Sequence, residues 1–131
     1  MEKRRVVITG MGAVTPLGLS VSKSWQALKS GACGIGPITR YDAAGQKVKL
    51  AGEVKGFDAA ELLGRQEARR MARFTQLAVA AAKEALADGN FCPKQEEAGA
   101  CSVIVSSGIG GQDVTEAEHT RGMEKGFDRI S

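Results

Sequence analysis

The sequence has 131 residues, enough for one domain of ordinary size, and its 43% hydrophobic content excludes wholesale disorder. No apolar run approaches the ~20 residues that cross a bilayer, and a net charge of +3 is too small to argue for nucleic acid. Three cysteines, Cys33, Cys92 and Cys101, lie far apart and are odd in number, which argues against a disulfide framework and fits a reducing, cytoplasmic setting.

The basic residues at the N-terminus lead into Arg5–Gly10 (RVVITG), a β-branched run ended by glycine that reads as a buried strand, too short for a signal-peptide core. Gly10–Gly18 (GMGAVTPLG) is a loop. Ser20 or Ser22 is placed to cap a helix running to Ser30, which Gly31 ends. Gly31–Gly36 is a second glycine-rich loop. Lys47–Lys55 (KVKLAGEVK) alternates polar and apolar residues, the pattern of a half-exposed β ribbon. Glu67–Asp88 is the clearest helix. Met71, Phe74, Ala78, Ala82 and Ala85 share one face, with Arg69, Arg73 and Arg65 roughly opposite. Its alanine run predicts burial beyond the first two turns. A connector with Pro93 leads to Cys101, expected to be buried at the start of a second strand, Ser102–Ser107. The loop Gly108-Ile109-Gly110-Gly111 follows, then a helix over Asp113–Lys125. Asp113 and Glu116 stand at capping-box spacing, and Gly126 closes the helix.

This order of elements predicts an α/β fold with two long parallel strands. Two strands are too few for a covered parallel sheet, and the alanine-rich helix needs more partner surface than they offer. Residues 1–131 therefore read as part of a larger domain, with an incomplete, mostly parallel sheet. Such a chain is expected to expose apolar surface on that helix or at a sheet edge.

The excess charge is local. Four arginines and one glutamate lie between Arg65 and Arg73, and removing those five residues from 18 basic and 15 acidic leaves equal numbers of each. One basic patch on a neutral remainder favours an acidic partner over general polyanion binding. Gly10-x-Gly12 imitates a dinucleotide fingerprint, but its third glycine is replaced by Thr15, with Pro16 next, so a close approach of backbone is the better reading. No P-loop occurs. The Gly108–Gly111 loop reads as a packed loop presenting Ile109 rather than an anion cradle, because Asp113 brings negative charge to the helix start. His119 is the only histidine and lies among Glu116, Glu118 and Arg121, as a solvated residue does. Neither Cys33 nor Cys101 has the neighbouring cation or helix start that activates a thiol. The chain shows no complete catalytic set, no metal constellation and no cofactor site.

Five stretches in order resemble the start of a β-ketoacyl-acyl carrier protein synthase of the elongating type. They are RRVVITGMGAVTPLG at 4–18, SGACGIGPITRYD at 30–42, KLAGEVKGFD at 49–58, QEARRMARFTQLAVAAAKEAL at 66–86 and SSGIGG at 106–111. The resemblance implies the first part of the first α/β half of a thiolase-like fold. It also implies a decarboxylating Claisen condensation in fatty acid biosynthesis, in which a cysteine takes an acyl group from carrier-protein phosphopantetheine and two histidines serve malonyl-carrier decarboxylation. Those three residues lie beyond Ser131 in the family, so the chain alone is expected to be inactive and needs no cofactor of its own. Ala100-Cys101-Ser102 imitates the nucleophile motif but lacks its Thr-Gly continuation and is a decoy. The resemblance places Gly108 and Ile109 at the acyl pocket, Ile109 as its gate. It places Arg69 and Arg70 at the docking site for acyl carrier protein, with Gln66 where some relatives have lysine and with Arg65 and Arg73 as helpers on charge alone. It implies a homodimer in the cytoplasm, with no nucleic acid or membrane partner. Three other readings remain: a non-catalytic relative of the chain-length-factor type, a polyketide ketosynthase, and an unrelated α/β binding module.

Overall fold

A computed structural model describes residues 4–94 and 97–130. Met1, Glu2 and Lys3 of the basic N-terminus, Gln95 and Glu96 of the connector, and Ser131 lie outside the described residues. The elements in chain order are α1 (Val21–Lys29), β1 (Gly36–Pro37), β2 (Leu50–Ala51), α2 (Ala59–Leu63), α3 (Arg65–Arg70), α4 (Arg73–Asp88) and α5 (Gln112–Lys125), with 3-10 turns at Ala98–Ala100 and Phe127–Arg129. They belong to two units. One runs to Asp58 and includes Ala80–Cys101; the other holds Ala59–Val79 and the residues from Ser102 onward.

In the first unit, the loop after Gly10 lies against the second half of α4. A Cβ on Gly10 would meet the Ala85 carbonyl and Gly89, and one on Gly12 would meet the Ala81 carbonyl and the Ala85 nitrogen. Glycine is needed here for close approach to a helix, not for a phosphate. Two carboxylates of α4 hold the same loop. Glu84 accepts hydrogen bonds from the backbone N–H of Ala13 and of Val21, each at 2.9 Å, and Asp88 accepts one from Met11 at 2.9 Å. Thr15 closes the turn. Its Oγ1 accepts from the N–H of Leu17 (3.1 Å) and Gly18 (3.2 Å) and lies 2.8 Å from Ser24 Oγ. The residue that spoils the dinucleotide fingerprint is thus the one that knits this turn. Ser20 caps α1, its Oγ accepting from Lys23 N–H at 3.2 Å, and the helix gives way to Gly31 as the spacing predicts.

The ribbon expected over Lys47–Lys55 is shorter than its pattern. Leu50 and Ala51 pair antiparallel with Pro37 and Gly36, and Ile38 N–H adds a bond to the Lys49 carbonyl at 3.0 Å. Pro37 has no N–H to extend the ladder. Beside it, the Glu53 carboxylate accepts from Thr39 Oγ1 (2.6 Å), Thr39 N–H (3.0 Å) and Arg40 N–H (3.2 Å).

Four expectations are corrected. The runs 5–10 and 102–107 join no ladder among the described residues, and the sheet that is present is antiparallel with two strands. Val6 is 95% exposed and Ile104 91%. A β-branched run specifies an extended preference, but a strand needs a pairing neighbour, and none of the described residues supplies one. The helix expected over Glu67–Asp88 is broken at Met71, whose backbone is extended (φ −114°, ψ 133°), giving α3 and α4. No residue of α4 is fully buried, for want of surface to cover it. Cys101 is exposed at the end of the 3-10 turn, its Sγ donating to the Glu97 carbonyl at 3.5 Å, rather than buried in a central strand.

The buried hydrophobic residues among those described are Ala43, Phe57, Ala59 and Ala68. The accessible surface is 10997 Å². A folded monomer of 13.7 kDa is expected to expose about 6,600 Å². Among the described residues, Val6, Ile8, Val103 and Ile104 are large apolar side chains that stand exposed.

Candidate functional site

The residues singled out for binding gather in the second unit. α3 packs on α2, Ala59 of α2 and Ala68 of α3 are both buried, and Ala68 N–H bonds to the Gly64 carbonyl at 3.0 Å. With its small face buried, α3 turns Arg65, Arg69 and Arg70 to solvent. These three guanidinium groups have no ion pair among the described residues. Arg65 and Arg69, one turn apart, border a cavity of about 310 Å³ with Ala60 and Ala68. Like charges at this spacing cost an isolated helix ~0.2–0.5 kcal/mol, so an external anion has repulsion to relieve. Arg73 opens α4 and is half-buried.

The break between α3 and α4 is braced by one side chain. Gln76 Nε2 donates to the carbonyls of Ala68 (2.8 Å) and Met71 (3.1 Å), which a continuous helix would have satisfied internally. This bend sets the direction of the arginine-bearing turn.

The glycine loop sits on the first turn of α4. A Cβ at Gly110 would lie 2.7, 2.8 and 2.9 Å from Cζ, Cε2 and Cε1 of Phe74, so the ring edge is flush with the Gly110 backbone. Gly111 faces Ala72 and Phe74, and its left-handed backbone (φ 71°, ψ 24°) caps α5. Gly108 has open space where a side chain would stand. Ile109 is 78% exposed between the anchored and the open half. The capping box expected at Asp113 and Glu116 does not form. The cap is Gly111, Asp113 lies in the first turn with Oδ1 accepting from Val114 N–H (3.0 Å), and Glu116 accepts instead from Gln112 Nε2 at 2.7 Å.

The remaining chemical candidates stand apart. His119 is exposed and edge-on to Phe127, ring centroids 6.3 Å apart, while Glu118 pairs with Arg121 at 2.8 Å. No group of three or more His, Cys, Asp or Glu placed to hold a metal ion occurs among the described residues. Cys33 and Cys92 are exposed. Larger cavities in the first unit, about 470 and 680 Å³, meet at Val21 and Trp25. Glu84 and Asp88 line the larger one, and both accept hydrogen bonds from backbone N–H groups. No described helix is long and apolar enough to cross a membrane.

Residues 3–130 match the family model described as "Beta-ketoacyl synthase, N-terminal domain". The chain belongs to this family. It is 45% identical over 131 residues to a protein of Synechocystis sp. named 3-oxoacyl-[acyl-carrier-protein] synthase 2, covering 100% of this chain and 32% of that one. It is 43% identical over 130 residues to a protein of the same name from Staphylococcus aureus strain COL, covering 99% and 31%. Among solved structures it resembles the ishigamide ketosynthase/chain length factor, with a TM-score of 0.79 and 26% identity over 99% of this chain and 32% of that one. Over this region the chain has the ketosynthase fold, and it spans about a third of the length of the relatives it matches.

The arginine helix and the Ile109 loop both belong to the second unit. Both were visible in sequence, as a charge cluster and as a bulky residue among glycines. Phe74, Gln76 and Glu84 were not singled out. Phe74 reads as an ordinary core residue of a helical stripe, and Gln76 as a solvated one. Glu84, the one acid within an alanine run opposite Gly10-x-Gly12, was the detectable signal.

Proposed function

We propose that the chain forms the N-terminal portion of a 3-oxoacyl-[acyl-carrier-protein] synthase that elongates acyl chains by decarboxylating Claisen condensation. The carrying observation is co-linear identity of 43–45%, from end to end of this chain, with proteins bearing that name. The nucleophilic cysteine and the two histidines belong to the rest of the domain, and the 131-residue chain is inactive alone. The excess of exposed surface and the unpaired runs at 5–10 and 102–107 support this reading, since further strands would cover both. In the full enzyme these runs join a mostly parallel sheet of a thiolase-like homodimer in the cytoplasm.

The chain's own contribution is recognition. Arg69 and Arg70, with Arg65 and Arg73 beside them, attract the acidic acyl carrier protein, which delivers the acyl group on phosphopantetheine; no other cofactor is needed. The Arg65, Arg69 and Arg70 guanidinium groups on α3, which have no ion pair among the described residues, form charge-assisted bonds with carboxylates. Ile109, on a loop with glycines on both sides, opens or closes the space for the acyl tail.

The test is made in the full-length protein. Arg69→Glu/Arg70→Glu is expected to weaken carrier affinity at least about tenfold at low salt, equal to ~1.4 kcal/mol. The gap should narrow as salt shortens the screening length to ~3 Å at 1 M. Elongation of acyl-carrier by malonyl-carrier should be present in the full-length protein and absent from residues 1–131. Carrier affinity untouched by the double reversal removes the patch from the account, and a full-length protein that binds carrier without turnover points to a non-catalytic relative.

A further inference from the structure

We infer that Phe74 is a positioning residue for the Gly108–Gly111 loop and thereby sets the acyl-chain length that the gate admits. This rests on Ile109 being the gate, as proposed above. Three ring atoms of Phe74 lie where a Gly110 side chain would begin, so the loop backbone is seated on the ring. Gly111 is fixed as the cap of α5 and faces Ala72 and Phe74. A side chain on Gly108, on the other side of Ile109, would stand in open space. The loop is therefore hinged at its open end and stopped at its anchored end. Ile109 swings about Gly108, and the Phe74 ring limits how far. The seat itself is firm, because Phe74 lies on the first turn of α4, two residues from the Gln76 brace.

A smaller residue at 74 withdraws the stop, whereas a methyl on Gly110 lifts the loop off it. The two changes act on one contact with opposite geometry, so together they should partly cancel, as coupled neighbours do. The experiment measures kcat/KM of the full-length enzyme for a short and a long acyl-carrier, together with carrier affinity. Phe74→Leu should raise the long-to-short ratio, and Gly110→Ala should lower it, each by about fivefold. The double variant should return towards the wild-type ratio, and carrier affinity should not move. If Phe74→Leu fails to fold, Phe74→Met, unbranched and better able to fill an irregular gap, is read in the same way. Ile109→Phe is the control for the gate. If it shifts the ratio while Phe74→Leu and Gly110→Ala lower both substrates by one common factor, Phe74 is merely structural and the inference fails alone. If Ile109→Phe leaves the ratio unchanged, the gate reading fails and takes this inference with it.

Discussion

Glu84 is the side chain whose removal should be felt most sharply in the first unit. Its two carboxylate oxygens take separate backbone donors, Ala13 N–H and Val21 N–H, both at 2.9 Å. Val21 is the first residue of α1, so the carboxylate also sits where a helix start favours negative charge. A hydrogen bond to a charged group contributes ~1.5–3 kcal/mol when buried, and orphaning a buried donor costs a comparable amount. Both bonds are only part-buried, so the lower end applies to each, and Glu84→Ala should destabilise the segment by about 3 kcal/mol. Glu84→Gln, which keeps one acceptor and turns an amide N–H towards the other donor, should cost nearly as much. Asp88→Ala provides the internal comparison. It removes one solvent-exposed bond to Met11 and should cost under ~1 kcal/mol. Hydrogen exchange of the full-length protein reports this directly. A 3 kcal/mol loss predicts roughly hundredfold faster exchange over residues 11–21 in Glu84→Ala, and less than tenfold in Asp88→Ala. Equal exchange in wild type and Glu84→Ala, with the urea midpoint unmoved, would refute the idea that this carboxylate holds the loop.

Glu53 offers a pH test. The hydrogen bond from the Thr39 hydroxyl first, then that from the Thr39 N–H, lowers its pKa below the ordinary 4.5. A depressed carboxylate stabilises the fold above its unfolded value and loses that contribution as pH falls through the folded value. Protection around residues 38–40 should therefore fall as pH drops from 4.5 downward, and Glu53→Gln should abolish this pH dependence; an unchanged profile in the variant refutes the assignment. Gly12→Ala places a methyl into the backbone of α4 at Ala81 and Ala85. Backbone yields less readily than a side-chain tip, so the cost should reach the upper part of the ~1–3 kcal/mol usual for overpacking, read as a lowered urea midpoint.

Local signals wrote the helices and left the sheet unwritten. Ser20, Gly31 and Gly126 mark helix ends through chemistry that acts within one turn, and the structure follows them. The break at Met71 carries no such mark. Neither Gly nor Pro stands there, and the bend is stabilised by Gln76 from five residues ahead, a contact no periodicity reveals. The runs at 5–10 and 102–107 have strand composition, yet pairing is a non-local property and the neighbours they need are not among the described residues. The same division holds for the site. Charge clustering exposed the arginine helix, whereas the seating of Gly110 on the Phe74 ring leaves no mark in the sequence.

The unpaired runs around Val6 and Ile104 bear on how such a protein is made. On the reading proposed here, this chain leaves the ribosome first and the remainder follows. Synthesis proceeds at ~5–20 residues per second, so a parent about three times this length would keep these runs waiting for roughly 15–55 s. Throughout that interval residues 6–10 and 102–107 are extended, rich in β-branched side chains and free of charge, the properties that let one nascent chain add strands to another. The N-terminal third of the enzyme is therefore the segment that folding helpers should engage, and slowing translation downstream of it should lower soluble yield more than slowing translation near the C-terminus.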